Sequence, residues 1–239
     1  GLLKSKLRSA AGFGELRFAI SGAAPINPDI LTMFHDLDIP LFEGYGMTEN
    51  TAGATLNFIG NNKIGTVGKA LPETEIKIAD DGEILLKGDH VMKGYYNNKK
   101  ATEETIIDGW LYTGDIGKLD DEGYLSITGR KKEIYVSSAG KNIAPLVIEE
   151  TIKSISLISQ CFLVGDSRKY CSALLTLDVG VILRDKIGID PNDIPKDPIA
   201  QLKMLNDNGH ELSNYTESKT IFEEVKKSVE TLNNQFSNP

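Results

Sequence analysis

The sequence is poor in the residues that build metal centres, disulfide frameworks and membrane spans. Its 239 residues include two cysteines, Cys161 and Cys171, and three histidines. The cysteines form neither a CxxC pair nor a metal-ligand cluster, and no HExxH spacing is present. No apolar run approaches the roughly 20 residues that cross a bilayer. The sequence therefore predicts no histidine metal site, no disulfide scaffold and no transmembrane helix within these residues.

Basic residues are also too few for a broad nucleic-acid surface. Acidic residues outnumber basic ones by 34 to 26, which gives a formal net charge of −8. A nucleic-acid partner is therefore not expected, although a single nucleotide could bind locally. The hydrophobic content of 40% is ordinary for a globular chain. Free thiols without pairing motifs favour a cytoplasmic location, and peripheral contact with a membrane stays open.

The first 64 residues predict a strand–helix–strand unit. Leu16–Ser21 and Pro40–Glu43 read as strands, and Pro28–Leu37 reads as a helix with proline in its first turn. Such crossovers nearly always join parallel strands. We therefore expect the loops Gly22–Pro25 and Gly44–Glu49 to meet at one edge of a sheet, which is where open α/β sheets bind ligands.

From residue 65 the pattern changes to short alternating segments separated by Asp-Gly turns, which predicts the hairpins of a β-rich subdomain. A helix over Pro145–Ser154 and strands near Cys161–Val164 and Ala173–Leu177 predict a small α+β domain. The last helix is expected to begin at Ser218 or Thr220 and to bury one apolar face, formed by Ile221, Phe222, Val225, Val229 and Leu232.

The predicted fold class is α/β plus α+β. Residues 1–130 are expected to form the end of a doubly wound α/β sheet domain, divided into the strand–helix–strand unit (1–64) and the β-rich subdomain (65–130). Residues 131–239 are expected to form the small domain, which carries a helical insertion.

The segment GYGMTE places an aromatic ring, a hydroxyl and a carboxylate on one glycine-flanked loop. Tyr45 could stack on a purine, and Gly46 would let the backbone approach a ligand closely. Thr48 can donate to a phosphate oxygen, and Glu49 is a hard oxygen ligand suited to Mg²⁺. The six residues alone leave open an equal alternative, a plain loop with a core tyrosine and a capping Thr-Glu pair.

Two later residues extend this hypothesis. Asp115, at the end of YTGD, could accept hydrogen bonds from both hydroxyls of a ribose. Arg130 could donate to the same ribose or to a phosphate. Taken alone, these residues fit a turn and a surface charge better.

Together the segments closely resemble the adenylate-forming superfamily of acyl-CoA synthetases, luciferases and peptide-synthetase adenylation domains. GYGMTE, YTGD and GRKKEIYVSSAGKNIAPLVIEE occur in the order and approximate spacing of that family, and the likeness extends from Leu16 to Leu177. SGAAP, KNIAP and LLTLD are most similar to long-chain acyl-CoA synthetases of the bubblegum type. The resemblance implies an ATP-dependent long-chain fatty acid–CoA ligase that uses ATP, Mg²⁺ and coenzyme A, has Thr48 and Glu49 as catalytic residues, and needs no defined protein partner.

The resemblance assigns further roles. Gly22 and Ala23 would line the acyl and adenine region. Their small size suits this role and also suits a plain tight connection between strand and helix. Lys132 would be the hinge about which the small domain swings, although adjacent lysines are usually plain surface. Gly140 and Lys141 would flank the pantetheine arm of coenzyme A, in what is also a glycine hairpin turn.

Two family features do not occur in these 239 residues, namely the phosphate loop of the type TSGTTGxPKG and a lysine in the setting of the adenylating lysine. Since the chain also begins at Gly1, we expect a piece of a longer protein that folds in part but forms no acyl-AMP alone. Two alternatives stay open. An adenylation domain that loads a carrier-protein pantetheine would not consume free coenzyme A, and a non-catalytic nucleotide-binding module would not turn over.

The hinge assignment predicts a separation of the two half-reactions. In the protein that carries this chain, Lys132→Pro fixes φ at about −65° and should hold the small domain in one arrangement. We expect loss of either acyl-AMP formation or thioester formation, measured separately, while Lys132→Ala leaves both intact. Equal loss in both steps, or none, would remove Lys132 from the hinge.

Overall fold

The structure, a computed structural model, describes residues 2–136, 142–166 and 168–236. The chain divides into two compact units, Gly1–Ile134 and Tyr135–Pro239. None of the helices in the described part of the chain is both long and apolar enough to cross a bilayer.

The first unit opens with helix α1 (Leu2–Ala10) and then forms β1 (Ala19–Ser21), α2 (Pro28–Asp36) and β2 (Leu41–Tyr45). Strands β1 and β2 pair in parallel, so the predicted strand–helix–strand unit is confirmed, with a shorter first strand. Helix α2 begins where predicted because Pro28 occupies the first turn, where a missing N–H costs no hydrogen bond.

Two short antiparallel strands extend this sheet, β3 (Thr55–Leu56) and β4 (Lys69–Ala70), which gives the order β1-β2-β3-β4. Strand β1 lies at the edge, where Phe18 and Ile20 remain about half exposed. The carboxyl ends of β1 and β2 therefore lie side by side, as the sequence predicted.

A second, antiparallel sheet completes the first unit. It contains β5 (Glu75–Ile78), β6 (Glu83–Lys87), β7 (Ile106–Ile107), β8 (Trp110–Leu119) and β9 (Leu125–Arg130). These strands confirm the predicted hairpins. Helix α3 (Lys99–Thr105) was not predicted, because its sequence KKATEET has no apolar face and none of its residues is buried.

One hydrophobic core joins the two sheets of the first unit. It contains Tyr45 of β2 and Ala54, which directly precedes β3. The other members come from β6, β8 and β9, namely Ile84, Leu86, Leu111 and Leu125. All six are buried, and burial of the isoleucine and leucine side chains contributes about 1.5–3 kcal/mol each. The end of β2 is thus fixed against the antiparallel sheet.

The second unit begins with the antiparallel pair β10 (Tyr135–Val136) and β11 (Asn142–Ile143). Helix α4 (Pro145–Lys153) and the antiparallel strands β12 (Ile158–Val164) and β13 (Ser172–Leu177) follow. The helical insertion contains α5 (Val179–Val181), a π-helical segment (Ile182–Ile187), α6 (Pro198–Asp207), α7 (Ser213–Thr216) and α8 (Lys219–Phe236). With these elements, the predicted fold class of α/β followed by α+β is confirmed.

The face of the last helix differs from the prediction. Ile221 is buried and Val225 packs against the second core, but Phe222 is 64% exposed. Neighbouring residues lie about 100° apart around a helix, and only the side that carries Ile221 meets the core. Ser218 precedes the helix and accepts a hydrogen bond from the N–H of Ile221 at 3.4 Å, as one of the two predicted caps.

Candidate functional site

The GYGMTE segment starts inside β2 and ends in a 3-10 turn, Thr48–Asn50. Glycine is required at position 46 because a Cβ there would overlap the backbone of Ala52. The buried Asn50 accepts the N–H of Met47 through Oδ1 at 2.7 Å. Close backbone packing at Gly46 and the side chain of Asn50 therefore fix the shape of this loop.

Tyr45 holds Asp115 in place. Its side chain is 7% exposed and forms part of the core that joins the two sheets, and its hydroxyl donates to Oδ2 of Asp115 at 2.7 Å. Burial, reinforced by the neighbouring carboxylate, raises the pKa of Tyr45, so the phenol stays protonated and keeps donating. The stacking of Tyr45 on a purine stays a prediction.

Asp115 lies on a bulge of β8. Glu83 pairs with Ile116, and Leu85 pairs with Tyr112, so a stretch of β8 longer by two residues faces β6 at this point. Residues Thr113–Asp115 contain the two extra positions and lie outside the regular β6–β8 ladder. β-Bulges of this kind change the direction of side chains and are common next to functional sites.

Side chains replace the ladder bonds that the bulge loses. The hydroxyl of Thr113 donates to the carbonyl of Ile84 at 2.7 Å and accepts the N–H of Asp115 at 3.1 Å. The N–H of Gly114 donates to Oε1 of Glu83 at 2.8 Å. Glu83 is 4% exposed, so a buried carboxylate supports the backbone that presents Asp115.

Arg130 meets Asp115 across the β8–β9 hairpin, where the two residues are directly paired. The guanidinium Nε lies 3.3 Å from Oδ1 of Asp115, yet the Arg130 side chain is 64% exposed. Because the Arg130 end of this ion pair is solvated, the pair contributes little stability, and the guanidinium remains able to turn to a ligand. Lys132 follows within a 3-10 turn, Lys131–Glu133.

Glu49 is half-buried on the turn after β2, and Thr48 beside it is exposed. Oε1 of Glu49 accepts the hydroxyl of Tyr95 at 2.9 Å, which orients the carboxylate without neutralising it. No group of three or more acidic, histidine or cysteine side chains suited to a metal occurs in the described ranges. A Mg²⁺ ion at Glu49 would therefore complete its oxygen shell with phosphates and water, the mode that Mg²⁺ favours in nucleotide sites.

The loop after β1 lies against the end of β2. A Cβ on Gly22 would stand 3.1 Å from the carbonyl oxygen of Gly44, and Ala23 is exposed beside it. Glu43, which is buried, accepts the N–H of Ile26 at 3.0 Å and so ties this loop to β2. Gly140 and Lys141 lie outside the described residues.

The structure brings Tyr45, Asp115 and Arg130 into contact and places Gly22 beside the glycine that opens the GYGMTE loop. Sequence reasoning missed the polar groups that support them, namely Glu43, Glu83 and Tyr95. The one available signal was an acidic residue at the start of an apolar run, as in EILLK, where a charge is out of place unless it is paired.

Residues 2–96 match the family described as AMP-binding enzyme, and residues 132–192 match the family described as AMP-binding enzyme C-terminal domain. The two matched ranges contain every predicted site residue except Asp115 and Arg130, which lie between them. The chain belongs to the AMP-binding enzyme family.

Within that family the chain is similar to long-chain-fatty-acid–CoA ligases. FadD15 of Mycobacterium bovis is 45% identical over 177 residues, which are 74% of this chain and 29% of that protein. ACSBG1 of Rattus norvegicus is 38% identical, over 74% and 25% of the two chains. ACSBG2 of Gallus gallus is 34% identical, over 97% and 31%. The resemblance to long-chain acyl-CoA synthetases, including the bubblegum type, is confirmed, and the chain spans between a quarter and a third of the length of these relatives.

Solved structures of coenzyme A synthetases have the same fold as this chain. O-succinylbenzoate coenzyme A synthetase from Bacillus subtilis in complex with ATP and magnesium ion is 33% identical with a TM-score of 0.60, over 67% of this chain and 36% of that one. The same enzyme in complex with its acyl-adenylate intermediate gives 30% identity and a TM-score of 0.62, over 75% and 41%. The acyl-CoA synthetase-like fold is thus shown independently of the motifs.

Glu43 predicts a pH dependence of stability. Burial raises the pKa of its carboxyl above the ordinary 4.5, partly offset by the hydrogen bond from Ile26. A raised pKa means that the folded state binds the proton more tightly, so the free energy of unfolding should rise as pH falls through the folded pKa towards 4.5. Glu43→Gln keeps an acceptor for Ile26 and removes the charge, so its stability relative to wild type should be greatest at neutral pH.

Urea unfolding between pH 7 and pH 4.5 measures this difference. Glu75→Gln is the matched control, because Glu75 is exposed and its ion pair with Lys87 is long at 3.8 Å. A Glu43→Gln difference that does not shrink as pH falls would show that the Glu43 carboxylate is not penalised by burial.

Proposed function

We propose that the chain is part of an enzyme that converts a long-chain fatty acid, ATP and coenzyme A into acyl-CoA, AMP and pyrophosphate through an acyl-AMP intermediate. The observation that carries this proposal is the contact that Asp115, on the bulge of β8, makes with Tyr45 of β2 and Arg130 of β9. Support also comes from relatives named as long-chain-fatty-acid–CoA ligases.

Asp115 would bind the ribose of the nucleotide. Tyr45 occupies one lone pair of Oδ2, and Arg130 approaches Oδ1. Each carboxylate oxygen has a second acceptor site, so the carboxylate can take both hydroxyls of a ribose diol while it keeps its protein partners. The adenine would then lie near the small residues Gly22 and Ala23, with the Tyr45 ring beneath.

The first step would be attack of a fatty-acid carboxylate oxygen on the α-phosphorus of ATP. A new oxygen–phosphorus bond forms, and the bond to pyrophosphate breaks. Thr48, which is exposed, would donate to a phosphate oxygen, and Glu49 would hold Mg²⁺, which when bound neutralises phosphate charge. Chemistry of this kind depends on positioning and on charge stabilisation, without a covalent nucleophile.

The second step would be attack of the coenzyme A thiol on the acyl carbon. A thioester forms, AMP leaves with the electron pair of the broken carbon–oxygen bond, and the thiol proton passes to solvent. We assign Gly140 and Lys141 to the entrance of the pantetheine arm, and Lys132 to the hinge that presents the small domain for this step.

Replacement of Asp115 should affect the nucleotide more than the acid. Hydrogen bonds to a charged group contribute about 1.5–3 kcal/mol each, so in the protein that carries this chain Asp115→Ala should raise the KM for ATP at least tenfold and leave the KM for fatty acid nearly unchanged. Pyrophosphate exchange measures both constants. Asp121→Ala, in an exposed turn of the same hairpin, is the control. Unchanged ATP kinetics in Asp115→Ala would remove Asp115 from the site.

A further inference from the structure

Glu83 connects the bulge of β8 to the residue that follows Arg130. Its buried carboxylate accepts the N–H of Gly114 through Oε1 at 2.8 Å and pairs with Nζ of Lys131 through Oε2 at 2.7 Å. Gly114 adopts a left-handed backbone conformation with φ of +75°. Its N–H has left the strand ladder, so the Glu83 carboxylate is the acceptor on which that conformation depends.

Lys131 neutralises this buried charge. Nζ also lies 2.6 Å from Oδ2 of Asp81, and its hydrogen bonds to Asp81 and Glu83 raise the pKa of Lys131. A buried carboxylate that loses its cationic partner is strongly disfavoured. Without Lys131, the buried Glu83 carboxylate would lack a cationic partner and would have to rearrange or draw in water, which weakens its hydrogen bond from Gly114.

The position of Lys131 in the chain gives the contact a further consequence. Lys131 lies between Arg130, which pairs with Asp115, and Lys132, the proposed hinge. A single short segment therefore reaches Asp115 along two routes. Arg130 approaches its carboxylate directly, and Lys131 supports the backbone before it through Glu83.

We propose that the Lys131–Glu83 ion pair positions Asp115 for nucleotide binding. The pair orients the Asp115 carboxylate by holding Gly114 in its bulged conformation. The proposal rests on the proposed function, because it assumes that Asp115 binds a ribose. Lys131 and Glu83 act through Asp115 and touch no substrate.

Lys131→Met removes the charge and keeps the length of the side chain. Displacement of a binding group by about 1 Å can cost up to about a hundredfold, so in the protein that carries this chain we expect the KM for ATP to rise about tenfold, with the KM for fatty acid unchanged. Lys131→Arg, which keeps the positive charge, should retain the wild-type KM for ATP. Glu83→Gln combined with Lys131→Met should be no worse than Lys131→Met alone, because the two residues act in series.

Lys63→Met is the matched control. Lys63 also bridges two carboxylates, Asp120 at 2.7 Å and Glu122 at 2.9 Å, and its side chain is 44% exposed compared with 47% for Lys131. Both of its partners lie in the turn between β8 and β9, outside the Thr113–Asp115 bulge. Loss of a lysine that bridges two carboxylates is common to both variants, and any general loss of stability would raise the KM for fatty acid together with the KM for ATP. Positioning of Asp115 would raise the KM for ATP alone, and only in Lys131→Met.

Equal ATP kinetics in Lys131→Met and Lys63→Met would overturn the proposal, as would additive effects in the Lys131→Met, Glu83→Gln pair. Hydrogen exchange of the Gly114 amide gives a readout that needs no turnover. The amide should exchange faster in Lys131→Met than in Lys63→Met, and equal exchange would also overturn the proposal. If wild type shows no ATP-dependent exchange of pyrophosphate while Lys131→Met still exposes Gly114, the proposed function fails and the structural coupling stands.

Discussion

The hydrogen bond from Tyr45 to Asp115 is the contact on which the site depends. It joins the end of β2, which pairs in parallel with β1 in the first sheet, to the bulge of β8 in the antiparallel sheet. Tyr45 is itself part of the core shared by both sheets. The position of the Asp115 carboxylate is therefore set by hydrophobic packing, and a change in that packing would be transmitted to Asp115.

Buried polar side chains extend this principle to the surrounding loops. Three buried side chains each accept a hydrogen bond from a backbone N–H: Glu43 from Ile26, Asn50 from Met47, and Glu83 from Gly114. Each N–H belongs to a segment that has left regular secondary structure, where an unpaired buried donor would be costly. The loops that carry the proposed ligand contacts thus owe their shape to side chains that would not touch the ligand.

The sequence was most informative where local rules decide the structure. Apolar alternation and Asp-Gly turns predicted the hairpins, and the Pro28 position predicted the start of α2. The pairing of Asp115 with Arg130 also followed from a hairpin. The supporting contacts could not be predicted in this way, because Glu83 meets Gly114 across 31 residues and Lys131 across 48. Such pairs are set by how strands stack and register, which composition does not reveal. Phe222 was misplaced for a similar reason, since a helical stripe does not say which of its sides meets the core.

In the proposed function, the bulge of β8 presents Asp115 to a ribose diol. The most direct test compares the affinity of the protein that carries this chain for AMP and for 2′,3′-dideoxy-AMP by calorimetry. Both nucleotides offer the same base and phosphate, so the difference isolates the diol. Loss of hydrogen bonds to a charged group predicts binding of the dideoxy nucleotide at least tenfold weaker than that of AMP. Equal affinity for the two nucleotides would contradict the binding of a ribose diol at Asp115.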